Sequence, residues 1–221
     1  MKNMNTTRGK FIVIEGPDGS GKSGVIELVK KELENRGIKT VYTREPGGTP
    51  IAEKIRDILQ DKENRDMSVR CDLLLYCAAR ADHVEKVIAP AISESSNVIC
   101  DRFFGSTVAY QVYARGRDSI INEFDTLNKI VVADNIPDMW ILLDVESEVG
   151  MERNRKSGDK NSRFDLEKLE FHKRVRDGYH KFFDKYAKGA PNKIIDTTNM
   201  TKDQVAKVAL DSILEFLQSD K

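Results

Sequence analysis

The sequence predicts an α/β protein with three layers (α/β/α), in which a five-stranded parallel sheet lies between helices. Along the 221 residues, short β-rich runs alternate with longer segments of helical periodicity, the pattern of repeated βαβ units. The short runs are apolar almost throughout, as expected for strands that helices cover on both faces. No repeat, low-complexity segment or linker interrupts the pattern, so residues 1–221 are expected to form a single domain.

The individual elements follow from this pattern in chain order. Strands are predicted at residues 11–15, 40–43, 98–100, 139–143 and 193–195. Helices are predicted near residues 22–36, 51–60, 68–94, 106–133, 147–155, 165–187 and 202–218. The stretches 68–94 and 106–133 are each expected to be broken in two. In 165–187, apolar residues recur at three- and four-residue steps, and Thr201 and Gln204 have capping-box spacing at the start of the last helix.

Composition limits the partners and the compartment. Lysine plus arginine and aspartate plus glutamate both number 36, so the formal net charge is zero. A balanced chain has no general attraction to nucleic acid or to an anionic membrane, and we expect neither as a partner. Cys71, Cys77 and Cys100 lack the pairing of a disulfide framework and fit a reducing compartment. Without a signal-peptide pattern or a run of ~20 apolar residues, a cytoplasmic protein is expected.

The most specific motif is GPDGSGKS at residues 16–23, a complete G-x-x-x-x-G-K-S. It follows a predicted strand and opens a predicted helix, a context that argues against a chance glycine-rich turn. Glycines let successive backbone N–H groups surround a phosphate at the helix N-terminus. Lys22 is placed to reach the outer phosphates, and the Ser23 hydroxyl to ligate Mg²⁺. The residues predicted to bind a nucleoside triphosphate are Gly16, Pro17, Asp18, Gly19, Ser20, Gly21, Lys22 and Ser23.

A second group of cationic, aromatic and polar residues follows the predicted strands, at the edge where an open α/β sheet binds ligands. Guanidinium groups bind phosphate oxygens bidentately, so this supply of arginines suits a second phosphate opposite the first. An aromatic face can stack on a base, and an amide can hydrogen-bond its edge. Taken singly, each residue also fits a solvated helix charge or a core side chain. The candidates are Arg44, Arg56, Tyr76, Arg80, Asp101, Arg102, Thr107, Tyr110 and Gln111.

Six sequence blocks occur in order: EGPDGSGKS, TREPGGTPIAEKIR, LLLYCAARADHVEKVIAPAI, CDRFFGSTVAYQVYARG, PDMWILLDV and SRFDLEKLEFHKRV. From about residue 11 to about residue 186, they resemble the successive blocks of bacterial-type thymidylate kinases, nucleoside monophosphate kinases of the P-loop superfamily. The resemblance implies the P-loop kinase fold with a lid at about residues 153–164. It also implies ATP-dependent phosphorylation of dTMP to dTDP with Mg²⁺, in dTTP biosynthesis, by a homodimer. The apolar segments 73–75 and 84–92 provide either its interface or core.

The resemblance assigns roles around the acceptor phosphate and sugar. Asp18 matches an acid that contacts the 3′-hydroxyl and helps to orient the acceptor phosphate. Arg56 and Arg102 match arginines that grip this phosphate. Tyr110 matches a tyrosine that crowds the sugar and disfavours a 2′-hydroxyl.

Around the acceptor base, Tyr76 matches the aromatic residue, usually Phe, that stacks on thymine. Arg80 matches the arginine that contacts the base edge, and Thr107 and Gln111 match polar residues near the base. Arg44, in the REPGGT block, is included as a candidate substrate contact.

On the donor side, Asp101 matches an acid that helps to organise Mg²⁺. Gly19 stands where one branch of the family has arginine, which fits the branch in which lid arginines supply that charge. Arg153, Arg155 and Arg163 are the candidates, and Arg153 is also predicted to contact ATP. In-line phosphoryl transfer needs positioning and cations more than proton chemistry. The predicted catalytic residues are Lys22, Arg102, Asp18 and Arg163.

Five positions depart from the family's usual pattern. Gly24 replaces Thr, which removes a hydroxyl that contacts the α-phosphate and predicts weaker ATP binding. Phe103 replaces Tyr, Gly105 replaces Asp, Val112 replaces Gly, and Tyr76 adds a phenol. Because these four touch the acceptor pocket, a broader deoxynucleoside monophosphate kinase that accepts dUMP or dGMP is one alternative.

Two further alternatives remain. A deoxynucleoside kinase has no need of the REPGGT block or of Arg56, and a non-catalytic nucleotide-binding protein has no need of Lys22 and Asp101. The three histidines at positions 83, 172 and 180 are predicted to be structural, and Trp140 is predicted to lie in the core.

Overall fold

The computed structural model describes residues 8–157 and 163–219. Its strands are β1 (Phe11–Glu15), β2 (Thr40–Arg44), β3 (Asn97–Asp101), β4 (Met139–Asp144) and β5 (Asn192–Asp196). They form one sheet in the order β2-β3-β1-β4-β5, with every neighbouring pair parallel. All five predicted strands are confirmed. Four are longer than predicted because the ladder continues to polar residues, such as the pairs Thr40 with Asn97 and Arg44 with Asp101.

The helices also match the predicted segments. They are α1 (Lys22–Asn35), α2 (Pro50–Gln60), α3 (Val69–His83), α4 (Ala89–Ser93), α5 (Phe104–Thr107), α6 (Ile121–Val132), α7 (Ser147–Ser157), α8 (Leu169–Phe182) and α9 (Lys202–Gln218). The expected capping box is present at the start of α9. Within the ranges 8–157 and 163–219, no helix is both long enough and apolar enough to cross a membrane.

The two long segments differ from each other. The expected break in 68–94 is wrong, because a π-helical turn, Val84–Ile88, joins α3 directly to α4. Segment 106–133 is broken as expected: α5 passes into a π-helical turn, Val108–Tyr113, and a 3₁₀ turn, Asp118–Ile120, leads into α6. A 3₁₀ turn, Arg163–Leu166, precedes α8, and a π-helical turn, Phe183–Ala187, follows it.

The core lies on both faces of the sheet. Side chains of β1 alternate, so Phe11 and Val13 belong to one apolar cluster and Ile12 and Ile14 to the other. Helices α1 and α9 cover the second face, while α3, α5 and α8 contribute to the first. Trp140 is buried in the first cluster, which confirms its predicted place. This three-layer arrangement puts the carboxyl ends of β1 and β3 side by side, where the phosphate loop begins.

Candidate active site

The loop between β1 and α1 has the geometry of a phosphate cradle. Gly19 has a φ of 77°, in the left-handed region that glycine adopts without strain. A Cβ at Gly19 would lie 2.0 Å from the carbonyl oxygen of Gly150 in α7, so a side chain has no room there. Lys22 is buried, and its Nζ donates to the carbonyl oxygen of Gly16 at 2.8 Å. Burial lowers the pKa of Lys22 from 10.5 to about 8.

Arg102 follows β3, and its side chain contacts Asp18 of the phosphate loop. Its Nη2 donates to Oδ1 of Asp18 at 2.6 Å, and its Nη1 donates to the Tyr179 hydroxyl at 2.7 Å. The Tyr110 hydroxyl donates to Oδ2 of Asp18 at 3.0 Å. Burial opposes ionisation of Asp18, but the charges of Arg102 and Lys22 and the hydrogen bond from Tyr110 together outweigh it and lower the pKa of that carboxyl from 3.8. Asp18 is therefore an anion that orients both partners before a ligand binds.

Glu15, at the end of β1, is a site residue that sequence reasoning missed. Its buried Oε1 accepts from the backbone N–H groups of Phe103 (2.9 Å) and Ser106 (3.0 Å), and its Oε2 accepts from the Ser106 hydroxyl (2.6 Å). Burial raises the pKa of Glu15. The carboxylate thus fixes the turn that follows Arg102. A Cβ at Gly105 would lie 2.7 Å from Oε1, which explains the glycine at this position.

A cavity of about 550 Å³ opens between this loop and the residues that follow β2 and β3. It brings together most of the predicted site residues from separate parts of the chain. Those lining it are Asp18, Gly19, Gly21, Lys22, Ser23, Arg44, Arg56, Tyr76, Arg80, Asp101, Arg102, Thr107, Tyr110, Gln111 and Arg153. The phosphate cradle and Arg102, which donates to the Gly16 carbonyl, line one part of it, and Arg56, Tyr76 and Arg80 line another. A volume of this size suits a small-molecule ligand.

The wall opposite the cradle is built around Arg80, which is 1% exposed and so is not a solvated helix charge. Its Nε donates to Oε2 of Glu45 at 2.7 Å, and its Nη2 donates to Oγ1 of Thr107 at 2.8 Å. Nη1 is buried and has no hydrogen-bond partner among the residues that the structure describes. Tyr76 lines the cavity one helical turn earlier, and burial raises the pKa of its phenol to about 12.

Two arginines lie closer to the mouth of the cavity. Nη1 of Arg56 donates at 2.8 Å to a backbone carbonyl of the loop that follows β2. Arg44 is half-exposed and forms an ion pair with Glu53 at 2.8 Å. The charge of Arg44 is balanced by Glu53, whereas Arg56 forms no ion pair among the described residues, as a guanidinium that binds a second anion requires.

Comparison with known proteins agrees with this geometry. A family model described as thymidylate kinase matches residues 14–208. The chain belongs to the thymidylate kinase family. The thymidylate kinase of Clostridium novyi (strain NT) is 44% identical over 188 residues, which cover 85% of this chain and 89% of that protein. The thymidylate kinase of Shouchella clausii (strain KSM-K16) is 39% identical over 217 residues, 97% of this chain and 99% of that protein.

A solved structure gives the same result for the fold. The crystal structure of thymidylate kinase from Ehrlichia chaffeensis has a TM-score of 0.72 with this chain at 29% identity. The match covers 94% of this chain and 99% of that one. The likeness therefore extends over the whole α/β/α architecture as well as the phosphate loop.

In this thymidylate kinase, the residues predicted for Mg²⁺ are compatible with that ion. Oδ1 of Asp101 is buried and lacks a hydrogen-bond partner within residues 8–157 and 163–219. Asp101 and Ser23 both line the cavity beside the cradle. A carboxylate oxygen and a hydroxyl suit Mg²⁺, which keeps several waters and completes its shell with phosphate oxygens. At the same end, Nη2 of Arg153 donates to the carbonyl oxygens of Thr197 and Thr198, each at 3.0 Å.

Four predicted site residues do not line the cavity: Gly16, Pro17 and Ser20, which belong to the phosphate loop, and Arg163. Arg163 is buried, forms an ion pair with Asp72 of α3 and does not line the cavity itself, although the adjacent Phe164 does. Asp72 is itself buried and also accepts from Nε2 of Gln111 at 3.4 Å, so it requires a counter-charge. The expectation that Arg163 lies beside the phosphates is therefore not met in this conformation. Residues 158–162 of the predicted lid lie outside the described residues, and Arg155 lines a neighbouring cavity of about 490 Å³.

Two more residues connected to the thymidylate kinase site were missed. His83 is fully buried and interacts with both Thr43 and Glu45, and Glu45 holds Arg80. One signal was present in the sequence, because Arg80 and His83 are three residues apart on one helix. Sequence alone did not show that Glu45 lies against that face.

The unusual positions near the acceptor pocket divide into two pairs. Tyr76 and Phe103 line the cavity, whereas Gly105 and Val112 do not. Val112 is fully buried in the π-helical turn. Only the first pair can therefore touch an acceptor directly.

Proposed function

We propose that this thymidylate kinase transfers the γ-phosphoryl group of ATP to the phosphate of dTMP, giving ADP and dTDP. The proposal depends on one observation: the loop around Lys22 and the two arginines Arg56 and Arg102 line a single cavity. An oxygen of the dTMP phosphate attacks the γ-phosphorus while the bond to the ADP oxygen breaks. Holding two nucleotides end to end supplies much of the catalysis.

The donor half is assigned to the loop of residues 16–23. Backbone N–H groups surround the phosphates of ATP, and Nζ of Lys22 exchanges the Gly16 carbonyl for a phosphate oxygen. Ser23 and Asp101 are the residues that would hold Mg²⁺, which neutralises phosphate charge when it is bound. Arg153 is assigned to ATP binding because it lies at the same end of the cavity.

The acceptor half is assigned to the opposite wall. Arg56 and Arg102 bind the phosphate of dTMP, and Asp18 accepts from the 3′-hydroxyl while it keeps Arg102 oriented. Tyr110 excludes a 2′-hydroxyl, and its bond to Asp18 fixes its position. The residues assigned to the base are Tyr76 by stacking, Arg80 by contact with the base edge, and Thr107 and Gln111 beside it. Arg44 remains a substrate contact at the mouth.

Arg163 retains its proposed role as the lid cation, but only after a rearrangement. Its ion pair with Asp72 must open before the guanidinium can approach the phosphates. Nε of Arg163 is buried without a hydrogen-bond partner in the described ranges, so the observed position leaves one donor unused. A lid that closes around ATP also excludes water, which otherwise competes as acceptor.

We also propose a cytoplasmic homodimer with no nucleic-acid partner. Exposed apolar side chains on α2, α3 and α6 support the dimer: Ile51, Ile58, Leu74 and Ile130. The structure separates the two segments considered from sequence. Residues Val84, Ile88 and Ile92 are buried in the core, while Leu74 is 55% exposed.

A broader deoxynucleoside monophosphate kinase is the second candidate, because the Tyr76 phenol lines the acceptor wall. Steady-state rates with dTMP, dUMP and dGMP test it. A preference for dTMP above about a thousandfold, roughly 4 kcal/mol, over both alternatives would exclude it.

The main proposal is tested by coupled ADP release with dTMP, with thymidine and with no acceptor. We expect ADP release with dTMP and near-background rates otherwise. Lys22→Met should abolish turnover. Lys207→Met, which removes an exposed lysine paired with Asp211 on α9, should leave it unchanged. Turnover with thymidine but not dTMP would indicate a deoxynucleoside kinase, and no turnover would indicate a non-catalytic protein.

A further inference from the structure

We propose that Glu45 and His83 are positioning residues that hold the Arg80 guanidinium in one orientation, so that Nη1 can donate to a carbonyl oxygen on the acceptor base. The inference rests on the proposed acceptor site. According to this proposal, a buried chain of side chains allows the enzyme to select between bases. It favours a base with a carbonyl oxygen facing Arg80 over a base with an amino group there.

The chain of contacts is continuous. The Thr43 hydroxyl lies 2.6 Å from Nε2 of His83, and Nδ1 of His83 lies 3.0 Å from Oε1 of Glu45. Oε2 of Glu45 accepts from Nε of Arg80 at 2.7 Å, and Nη2 of Arg80 donates to Thr107 at 2.8 Å. His83, Glu45, Arg80 and Thr107 are all at most 4% exposed. Rotation of any one side chain would leave a buried polar group unpaired.

The hydrogen positions follow from the chemistry of the partners. A carboxylate only accepts, so Glu45 receives a hydrogen from Nε of Arg80 and another from Nδ1 of His83. The other ring nitrogen, Nε2, lies within hydrogen-bond distance of the Thr43 hydroxyl, which can donate or accept. Both oxygens of Glu45 are used, and the carboxylate cannot turn away from Arg80 without losing one of these bonds.

The anchoring leaves one nitrogen of the Arg80 guanidinium unpaired in the described part of the chain. Nε and Nη2 are engaged, whereas Nη1 is buried and has no partner among the residues the structure describes. A buried unpaired guanidinium nitrogen is unfavourable, and an oxygen of a bound base would remove that deficit. An amino group at the same place would bring donor against donor. Because Arg80 cannot reorient, its Nη1 favours a base with a carbonyl oxygen and disfavours a base with an amino group at that place.

The loop after β2 is fixed by the same histidine. A Cβ at Gly48 would lie 2.6 Å from Cδ2 of His83, so the loop backbone packs directly on the imidazole ring. Arg56 donates to the carbonyl oxygen of Pro46 in this loop. His83 thus supports both the base-binding and the phosphate-binding arginines of the acceptor wall.

Two substitutions of His83 distinguish the role of Nδ1 from that of Nε2. In His83→Asn the side-chain amide takes the place of Nδ1 and can still donate to Glu45. In His83→Gln it takes the place of Nε2, near Thr43, and leaves Glu45 without that donor. The full-length enzyme is assayed for the KM of dTMP, the KM of ATP, and the ratio of kcat/KM for dTMP to that for dCMP. His180→Gln, at a histidine of α8 outside the cavity, is the matched control.

We expect His83→Gln to raise the KM of dTMP and to lower the dTMP/dCMP ratio by about tenfold each, because a buried oxygen loses its donor. The KM of ATP should change less than about twofold, and His83→Asn should keep at least about a third of the wild-type ratio. Glu45→Gln preserves shape and should behave like His83→Gln, which maintains the test if the histidine variants unfold.

Three results would overturn the proposal: equal effects of Asn and Gln at position 83, an unchanged dTMP/dCMP ratio in Glu45→Gln, or parallel increases in both KM values with a lower melting temperature. Failure of the proposed function gives a different result, because the wild-type protein would then not turn over dTMP at all.

Discussion

Replacing Glu15 by alanine is expected to weaken the fold and the acceptor site together. The Glu15 carboxylate is the acceptor for the buried backbone N–H of Phe103 and the partly buried backbone N–H of Ser106. Each orphaned donor costs roughly 1–3 kcal/mol, so the two cost roughly 2–6 kcal/mol. Burial of the carboxylate is itself unfavourable and raises the pKa of Glu15, so removal of this group offsets part of the cost. We therefore expect the free energy of unfolding to fall by about 3 kcal/mol.

Glu15→Gln is the matched variant, because its amide oxygen can take over both backbone bonds while its amide nitrogen donates to the Ser106 hydroxyl. We expect it to lose less than about 1 kcal/mol. Urea unfolding followed by circular dichroism gives both values. The KM of dTMP should rise in the alanine variant, since the turn after Arg102 loses its anchor. A loss below about 1 kcal/mol in the alanine variant, or an equal loss in both variants, would refute the reasoning.

Three further predictions concern the donor half. Gly24→Thr should displace the side chain of Lys202, whose Cε lies 2.4 Å from the position of the new Cβ. Because the Lys202 side chain is half-exposed and can move, the free energy of unfolding should change by less than about 0.5 kcal/mol. The added hydroxyl should lower the KM of ATP about twofold in steady-state assays. A higher KM of ATP would contradict this prediction. Because the pKa of Lys22 is about 8, its amine is largely neutral above that pH when no ligand is bound. A bound phosphate favours the charged amine, so Lys22 should take up a proton when ATP binds above about pH 8. Calorimetry of ATP binding in two buffers should show uptake at about pH 8.5 and almost none at about pH 6.5, and equal uptake at both would be inconsistent with a lowered pKa. Asp101→Asn should raise the Mg²⁺ concentration needed for half-maximal turnover by about tenfold with the KM of dTMP unchanged, and an unaltered Mg²⁺ titration would argue against a role at the metal.

Sequence predicted those parts of the molecule that depend on neighbouring residues. The apolar runs of β1 and β4 and the capping box of α9 are local patterns, and each forms the expected element. The phosphate loop is also local, since its glycines precede Lys22 directly. The strand ends were less accurate because a ladder can extend to polar residues such as Asn97, whose pairing depends on the adjacent strand.

The remaining site residues depend on contacts between distant segments. Arg163 and Asp72 are 91 residues apart, and nothing near either one indicates that they pair. The glycine at position 105 is explained only when Glu15 is seen to approach it. His83 resembled a structural histidine because its contact with Glu45 requires the loop after β2 to fold onto α3. Sequence thus located the cavity and most of its lining, but not the buried side chains that support it.

The close approach of Gly19 to Gly150 has a consequence for how such enzymes diverge. A loop arginine and lid arginines are two ways to supply the same charge, and an exchange between them would begin with a change at position 19. Here any side chain at that position would meet the backbone of α7. An enzyme with this architecture therefore cannot replace its lid arginines by an arginine at position 19 through a single substitution. Helix α7 would first have to move away from the loop, and Arg153 would move with it.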